Sequence, residues 1–301
     1  MVRLGNMVSF VLWMTTLFMN RACLTAAMNT GCTTLKKGAL VFLHGLGDSP
    51  ADVAAWSSLE YTLPLIQPRL KDITYVFPPV PNICLTVNGG MQMPGWFDLY
   101  DWPIAVGSRD DRKGKMAALA RLDMTLQRLE EEEGIDPSRI VLAGFSQGGA
   151  VALLSAYQRR EQPFAACVSL SAWLTLVDEL DVDQEAKKTP LLWAHGRDDD
   201  KVLFEQQAFG VQKLREQGVE VIAKDYDMGH ESAPEEIEAM ATFLDEIFFG
   251  DEVDIPEEIS EEILRQPVPS MSTKEMDTMS MTEMNTTCTM GMNTTNTMGT
   301  M

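Results

Sequence analysis

Short apolar runs alternate with amphipathic stretches along the central part of the chain. The runs are rich in Val, Ile, Leu and Ala, which is typical of strands buried on both faces of a sheet. They predict strands near residues 38–43, 73–77, 139–143, 166–170, 190–194 and 219–224. Apolar residues at helical spacing predict helices near residues 51–66, 114–133, 150–156 and 202–217, and Pro234 opens another helix. This alternation predicts an α/β fold, with a mostly parallel sheet that helices cover on both faces in a single domain.

A serine lies between two glycines in the stretch Gly144-Phe145-Ser146-Gln147-Gly148, between a predicted strand and a predicted helix. A sharp turn of this kind exposes the serine hydroxyl as a nucleophile. The glycines lack the side chains that would collide as the strand and helix approach each other. An ordinary glycine-rich turn is the alternative. The strand-turn-helix context favours Ser146 as a nucleophile.

A serine nucleophile needs a general base, usually a histidine that a carboxylate orients. The chain has three histidines, His44, His195 and His230. In this fold class the order along the chain is serine, acid, histidine, which favours His230 as the base. The acid then lies in the loop that carries Asp198, Asp199 and Asp200, two of which we interpret as solvated loop residues. His44 and His195 are interpreted as structural residues beneath the site.

Two backbone N–H groups must stabilise the oxyanion that forms during acyl transfer. Gln147, directly after the serine, supplies one of them. Gly45 and Gly47 let the loop after the first strand curl, so that the N–H of Leu46 can supply the other. The same loop resembles a dinucleotide-binding pattern, but Pro50 occupies the position of the third glycine, which favours the oxyanion interpretation.

Five motifs follow one another along the chain: "FLHGLGDS", "MPGWFDL", "GFSQGGAVAL", "HGRDDDKV" and "MGH". Together they resemble the acyl-protein thioesterase and lysophospholipase family, within the phospholipase/carboxylesterase group of α/β hydrolases. The resemblance covers roughly residues 36–249. It implies an α/β-hydrolase fold, a Ser-His-Asp catalytic triad and hydrolysis of acyl esters or thioesters.

The resemblance also assigns roles to individual residues. Ser146 is the nucleophile, His230 is the base, and Asp199, four residues after the histidine of the "HG" motif, is the acid. The oxyanion N–H groups belong to Leu46 and Gln147.

Two further features come from the same resemblance. Trp96 and Phe97 match a family segment that lines or supports the acyl groove, although packing beneath a loop would explain the same aromatic residues. The family's usual proline after the acid is Asp200 in this chain, and Lys201 follows it, so the acid loop is more charged than the family pattern implies.

The formal net charge of −20 excludes some classes of partner. Nucleic-acid binding depends on basic contacts with phosphate, so we expect no nucleic acid, and anionic membranes should repel the chain. The sequence shows neither a zinc-type ligand spacing nor a phosphate-binding loop, and the five cysteines are too dispersed for a disulfide framework. We therefore expect no metal, no cofactor and no integral membrane association. The sequence leaves the oligomeric state open.

The chain has extensions on both sides of the predicted domain, which spans residues 35–250. Residues 1–34 resemble a leader, either a secretory signal peptide or an organellar transit peptide. Translation from Met28 would instead leave a cytosolic enzyme, and the family resemblance favours the cytoplasm. Residues 251–301 are acidic and then rich in Met, Thr and Asn, which predicts a disordered tail.

These features predict a serine hydrolase that works through an acyl-enzyme. The resemblance favours thioesters of S-acylated protein cysteines, and therefore protein depalmitoylation. Lysophospholipids or small carboxylic esters are the alternative substrates. From other classes, an inactive relative that binds acylated partners or a peptidase on the same fold explains the motifs less well.

Overall fold

Parallel strands form the central sheet of the computed structural model, which describes residues 38–48, 56–158 and 162–250. The described strands are β1 Ala39–Leu43, β2 Thr74–Val76, β3 Asn82–Leu85, β4 Met91–Pro94, β5 Ile140–Phe145, β6 Ala166–Leu170, β7 Leu191–Gly196 and β8 Val221–Tyr226. Six of them pair in the order β2-β1-β5-β6-β7-β8, and every pair is parallel. Strands β3 and β4 form a separate antiparallel hairpin.

Helices cover both faces of this sheet. Those described are α1 Leu59–Ile66, α2 Arg112–Glu131, α3 Gln147–Gln158, α4 Glu205–Glu216 and α5 Pro234–Phe249. Side chains alternate between faces along each strand, so Val41 packs with the core that contains α2, α3 and α4, whereas Phe42 packs with α1 and α5. The predicted fold, a mostly parallel sheet with helices on both faces, is confirmed.

The predicted elements agree closely with the described ones. All six predicted strands are present, and their ends differ from the prediction by at most two residues. The helix predicted at 150–156 is longer and begins at Gln147, immediately after the serine. Residues 51–55 of the first predicted helix lie outside the described residues, as do the predicted leader and tail, which stay predictions.

The hairpin of β3 and β4 was not predicted. The sequence indicates only a loop-rich stretch there, because the strands are short and Met91–Pro94 lacks the branched and aromatic residues that favour a strand. Gly89 and Gly90 form the turn, and both have positive φ angles of 63° and 85°. The hairpin contacts the site through Gly47, whose N–H donates to the carbonyl oxygen of Pro94 at 2.8 Å.

Helix α3 packs directly against the ends of β1 and β5, and all twelve of its residues are buried. A Cβ atom at Gly148 would lie 2.0 Å from the carbonyl oxygen of Leu43 and 2.6 Å from that of His44. Both neighbours are backbone atoms, so they cannot turn aside as a flexible side chain would. Gly148 therefore sets the distance between the start of α3 and the end of β1.

We expect Gly148→Ala to lower the free energy of unfolding by about 2–3 kcal/mol, because the added methyl group overpacks a rigid contact. Urea unfolding followed by circular dichroism measures this loss. Gly229→Ala is the matched control, since a Cβ there would meet only the carbonyl oxygen of Asp198, at an ordinary 3.9 Å. Equal stability of the two variants would contradict the packing argument.

Candidate active site

Ser146 lies at the sharp turn between β5 and α3. Its φ angle of 53° is in the left-handed region, which a residue with a side chain rarely adopts. The backbone N–H of Ser146 donates to the carbonyl oxygen of Leu170 at 2.8 Å, which fixes the turn to the end of β6. A Cβ at Gly144 would lie 2.5 Å from the carbonyl carbon of Gly148, so the turn needs both glycines. The predicted strand-turn-helix geometry is present.

The structure brings together the three residues that the motifs single out. The Nε2 atom of His230 is 2.9 Å from the hydroxyl oxygen of Ser146, and its Nδ1 atom is 2.7 Å from Oδ2 of Asp199. Asp198 and Asp200 are exposed, whereas Asp199 is buried. Among the three consecutive aspartates, Asp199 is thus the one in contact with the imidazole.

Hydrogen-bond donors surround the carboxylate of Asp199. Its Oδ1 atom accepts from the backbone N–H groups of Lys201 at 2.9 Å and Val202 at 2.8 Å. Burial alone would raise the pKa of this carboxyl, but hydrogen bonds from His195 and His230, the electrostatic interaction with His230 and the N–H of Val202 hold the pKa well below its usual range. Asp199 therefore stays ionised at neutral pH.

His195 lies beneath Asp199 and is completely buried. Its Nε2–H donates to the carbonyl oxygen of Val202 at 2.8 Å, and the same nitrogen is 3.4 Å from Oδ2 of Asp199. His44 is also buried, and its Nδ1 atom is 2.9 Å from the carbonyl oxygen of Gly45. Both histidines occupy supporting positions, as the sequence predicts.

The two loops that carry Asp199 and His230 are joined by their backbones. The N–H of Arg197 donates to the carbonyl oxygen of Tyr226 at 2.9 Å, and the N–H of Asp198 donates to that of Met228 at 3.1 Å. These bonds continue the pairing of β7 with β8 beyond the ends of both strands, which keeps the acid loop beside the histidine loop.

The two predicted oxyanion donors both lie at the site. Gln147 is the first residue of α3, so its backbone N–H has no acceptor within the helix. The N–H of Leu46 likewise has no backbone acceptor among the residues that the structure describes. Both residues line the cavity that contains Ser146.

The side chain of Gln147 has a second role, which the sequence did not reveal. Its amide nitrogen donates to the carbonyl oxygen of Phe97 at 2.6 Å, and its amide oxygen accepts from the N–H of Trp96 at 2.8 Å. The indole N–H of Trp96 donates to the carbonyl oxygen of His44 at 2.9 Å. Trp96 therefore connects the loops that hold both candidate oxyanion donors.

Trp96 and Phe97 support the cavity beside Ser146 and do not line it. Each is 1% exposed, and neither lines the cavity beside Ser146. Their side chains are directed into the core because the Gln147 amide holds their backbone. Phe97 instead supports the cavity wall, since its ring packs edge-on against Trp173 with a centroid distance of 5.9 Å.

The cavity beside Ser146 has a volume of about 240 Å³. Its lining is mainly apolar and comes from several loops. The lining residues are Gly45, Leu46, Asp48, Leu99, Trp102, Ile104, Phe145, Ser146, Gln147, Trp173, Lys201, Val202 and His230. Sequence motifs contain the polar members and Leu99, whereas Trp102, Ile104 and Trp173 lie outside every motif.

A polar cluster around Asp110 fixes the segment that carries Trp173. Asp110 accepts hydrogen bonds from the hydroxyl of Thr175 at 2.5 Å and the N–H of Leu176 at 2.9 Å, and it forms an ion pair with Lys115. The Lys115 ammonium also lies 4.7 Å from the centroid of the Phe97 ring. Burial lowers the pKa of Lys115 to about 7. The cavity wall is therefore held from behind by groups on α2 and the loop before it.

Known proteins share sequence and fold with this chain. The sequence profile of the phospholipase/carboxylesterase family matches residues 32–248. The chain belongs to this family. Acyl-protein thioesterase 1 of Aspergillus fumigatus is 34% identical over 220 residues, which cover 69% of this chain and 87% of the relative. The enzyme class predicted from the sequence, a carboxylic ester or thioester hydrolase, is confirmed.

Solved structures of the family have the same fold. SOBER1 of Arabidopsis thaliana is 30% identical and superposes with a TM-score of 0.62. The match covers 70% of this chain and 99% of the SOBER1 chain. Acyl-protein thioesterase 2 of Zea mays is 29% identical and gives a TM-score of 0.59. The match covers 72% of this chain and 96% of the Zea mays chain. The α/β-hydrolase fold implied by the motifs is confirmed.

None of the described helices is both long enough and apolar enough to cross a membrane.

Glu236 lies in the first turn of α5, six residues after His230, and is buried. Neither of its carboxylate oxygens has a hydrogen-bond partner of standard geometry in the described part of the chain. Burial raises the pKa of Glu236 to about 7, although the nearby Ser232 hydroxyl acts in the opposite direction. Above that pH the folded protein must hold a buried negative charge.

A raised carboxyl pKa lowers stability as pH increases, because between about 4.5 and 7 the folded state binds the proton and the unfolded chain does not. We expect Glu236→Gln to raise the free energy of unfolding by about 2–3 kcal/mol at pH values above 7 and to have little effect near pH 5. Urea unfolding at both pH values tests this. Glu235→Gln, at the exposed neighbouring position, is the control, and a gain for Glu236→Gln that is the same at both pH values would refute the explanation.

Proposed function

We propose that the protein is a serine hydrolase in which Ser146, His230 and Asp199 form a catalytic triad. The continuous contact from the serine hydroxyl through the imidazole to the carboxylate, with distances of 2.9 Å and 2.7 Å, carries the proposal. Asp199 stays ionised, so it orients the imidazole through Nδ1–H and leaves Nε2 free to accept a proton.

In the first half of the reaction, His230 accepts the proton of Ser146 while the serine oxygen attacks the acyl carbonyl carbon. The N–H groups of Leu46 and Gln147 stabilise the oxyanion. The protonated His230 then gives its proton to the leaving thiolate or alkoxide as the tetrahedral intermediate collapses. The products of this half are the free thiol or alcohol and an ester of Ser146.

In the second half, His230 accepts a proton from water, and the resulting hydroxide attacks the acyl-enzyme at the same carbonyl. The same N–H groups stabilise the second oxyanion. Collapse of the second tetrahedral intermediate releases the carboxylic acid, and His230 returns its proton to the oxygen of Ser146. No cofactor enters either half of this scheme.

Thioesters of acylated protein cysteines are the proposed substrates, which makes the reaction protein depalmitoylation. Several relatives bear the name acyl-protein thioesterase, and the apolar lining of the cavity suits an acyl chain. S-acylated proteins would then be the partners, and the cytoplasm is the compartment that this activity favours.

A second candidate is the hydrolysis of small carboxylic esters or lysophospholipids. The volume of the cavity beside Ser146, about 240 Å³, favours it, because that space suits a short acyl group better than a long one. Initial rates of the full chain on an S-palmitoyl peptide, a lysophospholipid and short-chain aryl esters distinguish the two candidates. Activity confined to the short esters would replace the depalmitoylation proposal.

We expect Ser146→Ala to lower kcat at least about 10⁴-fold on every substrate, because the substitution removes the nucleophile. A fluorophosphonate probe should label the wild-type protein and leave this variant unlabelled. Hydrolysis that survives in Ser146→Ala would show that the proposal is wrong, and a wild-type protein that binds acyl peptides without turnover would favour an inactive binding protein.

We expect Asp199→Asn to lower kcat about 10³- to 10⁴-fold, because the amide no longer holds the imidazole in the required tautomer. Asp198→Asn and Asp200→Asn are matched controls in the same loop. Both side chains are exposed, so they should leave the rate on a neutral ester within about two-fold. A large loss in Asp198→Asn with a normal rate in Asp199→Asn would assign the acid differently.

A further inference from the structure

We infer that Lys201 makes the site selective for substrates whose leaving group carries a negative charge. The class comprises acylated cysteines flanked by acidic residues and acyl esters of alcohols that bear a carboxylate or a phosphate. The inference rests on the proposed function, since it concerns the leaving group in that reaction.

The backbone of Lys201 is fixed on both sides. Its N–H donates to Oδ1 of Asp199 at 2.9 Å, and its carbonyl oxygen accepts from the N–H of Ile104 at 2.8 Å. A parallel bridge between Ile104 and Val202 adds a further contact. The side chain of Lys201 therefore starts from a rigid position in the wall of the cavity, two residues after Asp199.

The side chain of Lys201 lines the cavity and also reaches solvent. It is 41% exposed, and Trp102, which lines the same cavity, is 49% exposed. Lysine characteristically packs its aliphatic stem on apolar surface while its ammonium group stays hydrated. These two residues therefore belong to the open rim, whereas the buried residues Leu99 and Ile104 belong to the inner wall.

The position of the charge indicates which half of the substrate it meets. An apolar acyl chain is stabilised against the inner wall, because that wall is buried and lacks charge. The leaving group must depart into solvent and so passes the rim. A carboxylate or phosphate on the leaving group then comes within reach of the Lys201 ammonium.

Other charges near the cavity do not cancel the attraction between the Lys201 ammonium and an anionic leaving group. Among its described lining residues, Lys201 is the only lysine or arginine, and Asp48 is the only carboxylate. Asp48 lies beside Gly45 in the loop after β1, whereas Lys201 lies in the acid loop. The ammonium of Lys201 is 3.0 Å from the carboxylate of Asp200, which is 74% exposed. An exposed ion pair of this kind contributes little, so a substrate anion can compete with Asp200 for the ammonium.

The experiment compares two butanoyl esters, that of para-hydroxybenzoate, whose carboxylate is free, and that of methyl para-hydroxybenzoate, whose carboxylate is methylated and uncharged. The measured quantity is the preference, defined as kcat/KM for the charged ester divided by kcat/KM for the neutral one. Relative to the wild-type enzyme, Lys201→Met should lower the preference about three- to five-fold, and Asp200→Asn should raise it about two-fold because it frees the ammonium. Added salt should lower the preference of the wild-type enzyme, because it screens exposed charges.

Lys213→Met is the matched control, since Lys213 is 39% exposed, pairs with Glu216 and lies on α4 outside the cavity. It should leave the preference unchanged. An unchanged preference in Lys201→Met, or an equal fall in Lys213→Met, overturns the inference.

A second pair of substrates separates this inference from the proposed function. S-palmitoyl peptides with Glu or with Gln on both sides of the cysteine should show the same dependence on Lys201. If neither peptide is cleaved but the small esters show the expected preference, depalmitoylation fails and the role of Lys201 stands. If both peptides are cleaved equally by the wild-type enzyme and by Lys201→Met, depalmitoylation stands and the role of Lys201 fails.

Discussion

The close contact between β1, β5 and α3 is the constraint on which the site depends. Gly144 and Gly148 let the strands and the helix approach within a distance that no side chain would permit. This approach forces the positive φ angle of Ser146, and a strained backbone persists only where its surroundings hold it in place. The same contact sets the start of α3, so Gln147, whose N–H has no acceptor within the helix, lines the cavity beside Ser146. One packing contact thus positions both the candidate nucleophile and a candidate oxyanion donor.

The loops around this turn are fixed by polar groups rather than by regular pairing. The Gln147 amide holds Trp96 and Phe97, and Trp96 in turn holds the backbone of His44. Buried polar groups of this kind are costly when unpaired and rigid when paired. Asp199 is held in the same way, because several hydrogen-bond donors offset the cost of burying its charge. The site is therefore preorganised by hydrogen bonds that do not themselves take part in the proposed reaction.

Sequence analysis predicted the sheet, the order of the elements and the contact among Ser146, Asp199 and His230. These features have strong local signals: buried strands are continuous apolar runs, and the turn at the serine needs glycines at fixed positions. The hairpin of β3 and β4 and the burial of Trp96 and Phe97 depend on contacts distant in the sequence. No local pattern predicts that the amide of Gln147 will bind the backbone some fifty residues earlier, so the sequence could not decide whether Trp96 and Phe97 line the groove or support it.

Chemistry and selectivity therefore reside in different parts of the chain. The groups proposed to break the acyl bond lie at the ends of β5, β7 and β8, where the sheet dictates their spacing. The cavity wall comes from loops whose residues are free to differ while the sheet stays the same. Lys201 lies where these parts meet, since its N–H holds the buried acid while its side chain reaches the rim. A substitution there alters the charge that a substrate meets without altering the backbone that supports the acid.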